Sequence, residues 1–399
     1  VLFSLAIIAA SLATGLWLFR APVTSSRTWH AMITPLASII GSGFLILGPV
    51  LNMSYGDYSP LAMAGLCAGA YLFGSAVRFN IATLAEASPQ RSRREYALET
   101  AASWSLAFAY VISVAYYLNL FGSFGISLTG AKDPVWAKLL TSATFVLILA
   151  TGWYRGFEWL EKLEYVSVAI KLSIIAGLLV GLLAYFFDQF QHHALVFNHP
   201  QKTGWAAITL AFGLLVTVQG FETSRYLGNE YDVGTRIRSM KLAQWVSSAI
   251  YMIYIGLIAY VFSDFGDKPN ETAVIDMMRV VAPVLPFLLV AAALSAQFSA
   301  AVADTGGSGG LVAELTGNRL STRHGYALLV AAGLLLTWSS NVFQIISYAS
   351  RAFALYYSLQ ALIAATTAVR LQRRSRASIY FSLAFLGALI VIFGEAVEV

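Results

Sequence analysis

Ile40-Gly41-Ser42-Gly43-Phe44 and Gln219-Gly220-Phe221-Glu222 interrupt two long apolar stretches near their middles. A backbone broken at bilayer depth exposes N–H and C=O groups that lipid cannot satisfy, so it persists only inside protein or along a solute pathway. One glycine-bearing segment says little, because membrane helices use glycine widely for close packing. Two breaks in corresponding segments, with four apolar spans between them, point to an inverted repeat whose solute site lies where the breaks meet.

The rest of the chain supports a membrane setting. Of 399 residues, 58% are hydrophobic and 11% charged, against about 25% charged in a soluble domain. The spacing predicts an all-α polytopic protein of about twelve transmembrane helices, each near the bilayer-spanning length. The spans run over 1–20, 31–54, 58–86, 96–128, 135–154, 160–187, 203–230, 238–264, 284–316, 323–340, 342–369 and 376–397. The alternation a β-barrel needs is missing. Grouped by the breaks, residues 1–30 form a leading helix and cytoplasmic linker, 31–187 a first five-helix repeat, 203–369 a second, inverted repeat, and 376–397 a trailing helix. The leading segment has no basic start, so it reads as a membrane helix rather than a signal peptide.

A net charge of +5 and a pI near 9.2 would suit nucleic acid, but the basic residues alternate by loop. Arg20 and Arg27, Arg91 to Arg94, Arg225 to Lys241 and Arg370 to Arg376 share one side; Lys132, Lys138, Lys202, Lys268 and Arg279 lie on the other. The arginine-rich side is cytoplasmic by the positive-inside rule. No nucleic-acid partner is expected, and the chain is placed as a multi-pass protein of the plasma or inner membrane. The lone Cys67 excludes an intrachain disulfide and a cysteine metal cluster. His192, His193 and His199 share an external loop and read as solvated polarity. No catalytic set, cofactor or metal site is recognised. Gly306-Gly307-Ser308-Gly309-Gly310 lacks the Lys-Ser/Thr of a phosphate loop and reads as a packing or bending element.

Several short motifs together carry a family resemblance. Pro35 to Phe44 with its Ile-Gly-Ser-Gly break, then Gly48-Pro49, is similar to the first helix of the amino acid–polyamine–organocation (APC) superfamily. Gly220-Phe221-Glu222, followed by Asn229-Glu230, resembles that superfamily's sixth helix, and Lys171 in Val168-Ala169-Ile170-Lys171-Leu172 resembles the lysine of its fifth. The chain departs from the pattern in placing Phe44 directly after Gly43, in having Thr217, Val218 and Gln219 before the second break, and in its extra leading helix. The resemblance is to a divergent branch. It implies a LeuT-like fold of five plus five inverted helices and transport of an amino acid or related amine.

Site residues follow from both lines. Ser38, Gly41, Ser42, Gly43, Tyr116, Gln219, Gly220, Phe221 and Glu222 are expected to bind substrate: amides at the start of a half-helix attract a carboxylate, and carbonyls ending the other attract an ammonium. Ionisable groups inside a membrane are costly and therefore functional candidates, which singles out Lys171, Asp304 and Arg351 beside Glu222. Lys171 is expected in a cation position beside the helix of the first break and the helix of Asp304-Thr305, with Asp304 or Thr305 close to its ammonium, where a fixed ammonium and a bound sodium would repel. That favours a proton as coupling ion, or exchange; the alternative is sodium held by Asp304 and Thr305. Arg351 is expected to reach Glu222 or a substrate carboxylate. A sensor on a transporter scaffold is a further alternative, and a homo-oligomer is left open.

Overall fold

The computed structural model describes residues 2–41, 43–86, 93–129, 133–154, 164–227, 231–263 and 270–397. The regular structure of the described residues is all helical, without a strand. We number the helices α1 (Leu2–Leu18), α2 (Arg27–Ile39), α3 (Gly43–Tyr55), α4 (Ser59–Glu86), α5 (Arg93–Ile126), α6 (Pro134–Tyr154), α7 (Glu164–Gln191), α8 (Gly204–Gly213), α9 (Val233–Ile258), α10 (Ala273–Val281), α11 (Leu285–Leu315), α12 (Thr322–Ser339), α13 (Val342–Arg370) and α14 (Arg374–Phe393). Among the described residues, eight stretches are long and apolar enough to cross a membrane, while α1 and α8 are shorter apolar helices.

Both predicted breaks are present as interruptions of helix. α2 starts at an N-cap, Ser26, whose hydroxyl accepts from the Trp29 amide, and it ends at Ile39; a new helix begins at Gly43. The second break is more extensive than the sequence suggests. α8 stops at Gly213 and is followed by 3-10 turns, Leu215–Val218 and Phe221–Arg225, so no α-helical inner half follows among the described residues. Gly220 sits between the turns at φ +118°, a conformation open to glycine and strained for other residues.

α5 lies at the centre, packed on α11 and α13. Tyr116, Leu118 and Leu120 are essentially inaccessible there, and Gly307 of α11 lets the Tyr110 ring approach to where a Cβ would stand 3.1 Å away. α1 lies along α7 over a seam of small residues. A Cβ at Gly177 would stand 2.7 Å from the Ile7 carbonyl, and one at Gly181 2.8 Å from Ile7 Cδ1. At the far end the Tyr165 hydroxyl donates to Leu18 O at 2.8 Å.

Candidate functional site

Breaking a helix orphans the last carbonyls of the first half, and in α2 two of these find side-chain donors. Lys171 of α7 donates to Ala37 O at 2.6 Å, placing a cation at the negative end of α2. The Tyr251 hydroxyl of α9 lies 2.9 Å from Ile39 O and 2.7 Å from Thr217 O, so one phenol spans both breaks. At the end of α8, the Ser350 hydroxyl donates to Gly213 O (2.7 Å) and accepts from the Val216 amide (2.9 Å). The carbonyls expected to receive a substrate ammonium are thus already held by the protein's own groups.

The breaks also press on one another. A Cβ at Gly43 would stand 2.6 Å from Thr217 Cβ, and one at Gly220 2.4 Å from Ser38 Cβ. Gly41 is buried beside the Tyr117 ring. Ser38, Gly43, Gln219, Gly220, Phe221 and Glu222 therefore belong to one buried junction, in closed contact rather than around an open cavity. Ser42 lies outside the described residues.

Glu222 turns back over its own segment. Its carboxylate accepts from the Gly220 amide at 3.0 Å and from the Tyr357 hydroxyl of α13 at 2.6 Å. Tyr357 is stacked between Phe221 and Phe73, with ring centroids 4.9 and 5.5 Å away. Gln219 donates to the Tyr117 hydroxyl at 3.3 Å. Tyr117 thus meets the break on α5, and Tyr116, the expected binding tyrosine, packs its ring 5.1 Å from that of Tyr117. Asn119 points away, donating to Thr337 of α12.

Two pairings expected from the sequence are not formed. Asp304 accepts from the Ser113 hydroxyl of α5 rather than from Lys171, and Thr305 donates back along its own helix to Ala301 O at 2.6 Å. Lys171 does lie against the helix of the first break, through the carbonyl that the end of α2 exposes. Arg351 does not reach Glu222: its guanidinium donates to Gly394 O (2.9 Å) and Ile392 O (3.3 Å). Those carbonyls end α14, where a cation is favoured.

On the arginine-rich side a second polar layer closes beneath the turn. Arg225 pairs with Glu99 of α5 and donates to Gln360 Oε1 of α13 at 2.5 Å. Asn80 of α4 donates to the same amide oxygen at 2.8 Å, and Arg236 donates to Arg225 O at 2.9 Å. Read along the chain, Arg225 looks like one of many cytoplasmic arginines. The signal available was its place three residues after Glu222, inside the same interrupted segment.

A family profile described as APC superfamily transporter matches residues 21–394. The chain belongs to the APC superfamily of transporters. An uncharacterized protein of Aquifex aeolicus (strain VF5) is 42% identical over 381 residues, covering 93% of this chain and 92% of its own length. For an APC superfamily transporter the interrupted helices have a direct meaning, since irregular backbone at membrane depth is tolerated where it is buried in protein or lines a pathway. The buried junction of α2, α3 and the turns after α8 is accordingly the candidate transport site.

Proposed function

We propose that this transporter carries an amino acid or a related amine-bearing small molecule by alternating access, coupled to protons or working as an exchanger, within a five-plus-five inverted repeat spanning residues 31–187 and 203–369. The observation that carries the reading is the Tyr251 hydroxyl joining Ile39 O to Thr217 O. The breaks meet, and what holds them is a hydrogen-bond set that a solute with its own donors can replace. A substrate ammonium can exchange with Tyr251 at these carbonyls. Its carboxylate has the amides that open α3. Binding then separates Gly43 from Thr217 and Gly220 from Ser38, which converts occupancy into helix movement.

Coupling rests on acids rather than on a metal-like cage. Asp304 and Glu222 are both buried, and their described partners are hydroxyls and an amide, not cations. A carboxylate held from water without a counter-ion is costly, so each is a place where a proton can enter and leave as neighbouring groups shift. Lys171 puts a positive charge against α2, which disfavours sodium at the same carbonyl.

Uptake into proteoliposomes tests this. Saturable amino-acid flux with counterflow, driven by an inward proton gradient in sodium-free buffer, is expected. Strict sodium dependence with no response to the proton gradient would show that Asp304 and Thr305 hold sodium, and binding without flux would identify a sensor.

A further inference from the structure

Three cytoplasmic-side arginines pair with acids among the described residues. Arg225 pairs with Glu99, Arg370 with Glu95 and Arg27 with Asp232. Three others converge without one. Arg373 and Arg376, on the connection into α14, place their guanidinium carbons 6.0 and 5.8 Å from the centre of the Phe79 ring of α4. Arg78, one residue before Phe79, stacks on Tyr71 at 4.6 Å and donates to Gln244 Oε1 and to Tyr71 O. Tyr380 of α14 packs its ring 5.2 Å from Phe79 and lies within electrostatic reach of all three guanidinium groups.

A general excess of positive charge on one side explains the presence of arginines there but not this convergence. Arg78 also does not turn toward the cytoplasmic surface. Side chains on a helix lean toward its N-terminus, and α4 begins on the other side of the membrane, so Arg78 reaches seven residues back to the Tyr71 carbonyl. Arg373 and Arg376 are exposed. Two exposed guanidinium groups over the Phe79 ring, with the partly buried Arg78 on the same helix as Phe79 and no acid among the described residues bonded to any of the three, are complementary to an anion supplied from the bilayer.

The geometry points to a binding site for the phosphate headgroup of an anionic phospholipid in the cytoplasmic leaflet, formed by Arg78, Arg373 and Arg376 with Tyr380. A phosphodiester accepts from several guanidinium groups at once, and basic pockets between transmembrane helices on this side are suited to such headgroups. The site bridges α4 to α14, and so links one end of a helix lining the junction to the trailing helix.

Native mass spectrometry of the full chain, purified in detergent doped with phosphatidylglycerol or with phosphatidylcholine of the same acyl chains, tests the assignment. The wild type is expected to retain phosphatidylglycerol in preference to phosphatidylcholine. Retention should fall about fivefold for each arginine removed in Arg373→Gln and Arg376→Gln, the effect of one juxtamembrane charge. Arg374→Gln, a neighbouring exposed arginine outside the cluster, should bind like the wild type. Arg78→Gln also removes the Gln244 contact, so the two exposed positions decide if that variant fails to fold. Equal retention by the Arg373→Gln/Arg376→Gln double variant, an equal loss in Arg374→Gln, or no preference over phosphatidylcholine would overturn the site. Displacement of the lipid by excess inorganic phosphate would overturn it too, by showing a site for soluble phosphate.

Discussion

Gly220 and Gly43 are the residues at which the closed junction is least forgiving. Gly220→Ala meets a double penalty: a backbone at φ +118°, worth on the order of 1–3 kcal/mol for a residue with a side chain, and a Cβ placed against Ser38. We expect Gly220→Ala and Gly43→Leu to abolish substrate binding while the protein still elutes as a folded species, measured by ligand-induced thermal stabilisation and gel filtration. Binding unchanged in both would remove the junction as the site. Tyr357→Phe deletes one hydrogen bond to Glu222 and keeps the aromatic stack, so it should lower transport with a loss of stability of only about 1 kcal/mol. The glycines were legible because they punctuate apolar runs. Tyr251, Tyr357, Ser350 and Ser113 were not: each comes from a helix remote in sequence from the break or, for Ser113, the acid it serves, and 20 tyrosines offer no local mark of which one turns inward. Lys171 was legible as an intramembrane charge, but its partner was not, because the acceptor is a backbone carbonyl exposed only by the end of α2.

At the scale of the element, apolar length was read more reliably than helix type. Residues 203–230 form one apolar span in sequence, yet α8 gives way to 3-10 turns because Ser350 inserts between Gly213 O and the Val216 amide and Gly220 reverses the chain. The contact expected between Arg351 and Glu222 is absent for a related reason: the carbonyls ending α14, which Arg351 meets, are invisible in a string of letters. The start of α9 is a cleaner case. Asp232 is its N-cap, accepting from the Thr235 amide at 2.9 Å and hydroxyl at 2.6 Å, and the Thr235 hydroxyl, foremost, holds the carboxyl below its usual range. A group depressed in the folded state contributes stability above its unfolded pKa and loses it as pH falls through the folded one. Protection of the first-turn amides of α9, corrected for intrinsic exchange, should therefore decline on acidification. Asp232→Asn, which still caps, should abolish that dependence; an identical pH profile in both proteins would contradict the assignment.

For the whole molecule, the polar layer of Arg225, Glu99, Gln360 and Asn80 closes one side of the junction, and Ser224 beside it is fully buried. With Cys67 replaced by Ser, a Ser224→Cys probe should react slowly with a membrane-permeant thiol reagent. Adding Glu99→Gln should speed that labelling by shifting the balance toward an inward-open form. No change in rate would mean that Arg225 braces the fold without gating it.

The seam between α1 and α7 has a consequence of a different kind. Gly177 and Gly181 admit Ile7 so closely that the two helices cannot slide past one another without collision, and Tyr165 ties their ends. α7 also carries the lysine that grips α2. Any tilt of α7 that releases Ala37 must drag α1 sideways through lipid, changing the perimeter the protein presents to the bilayer. The work of such a movement is then done partly against the elasticity of the surrounding membrane, which makes its rate a function of bilayer thickness.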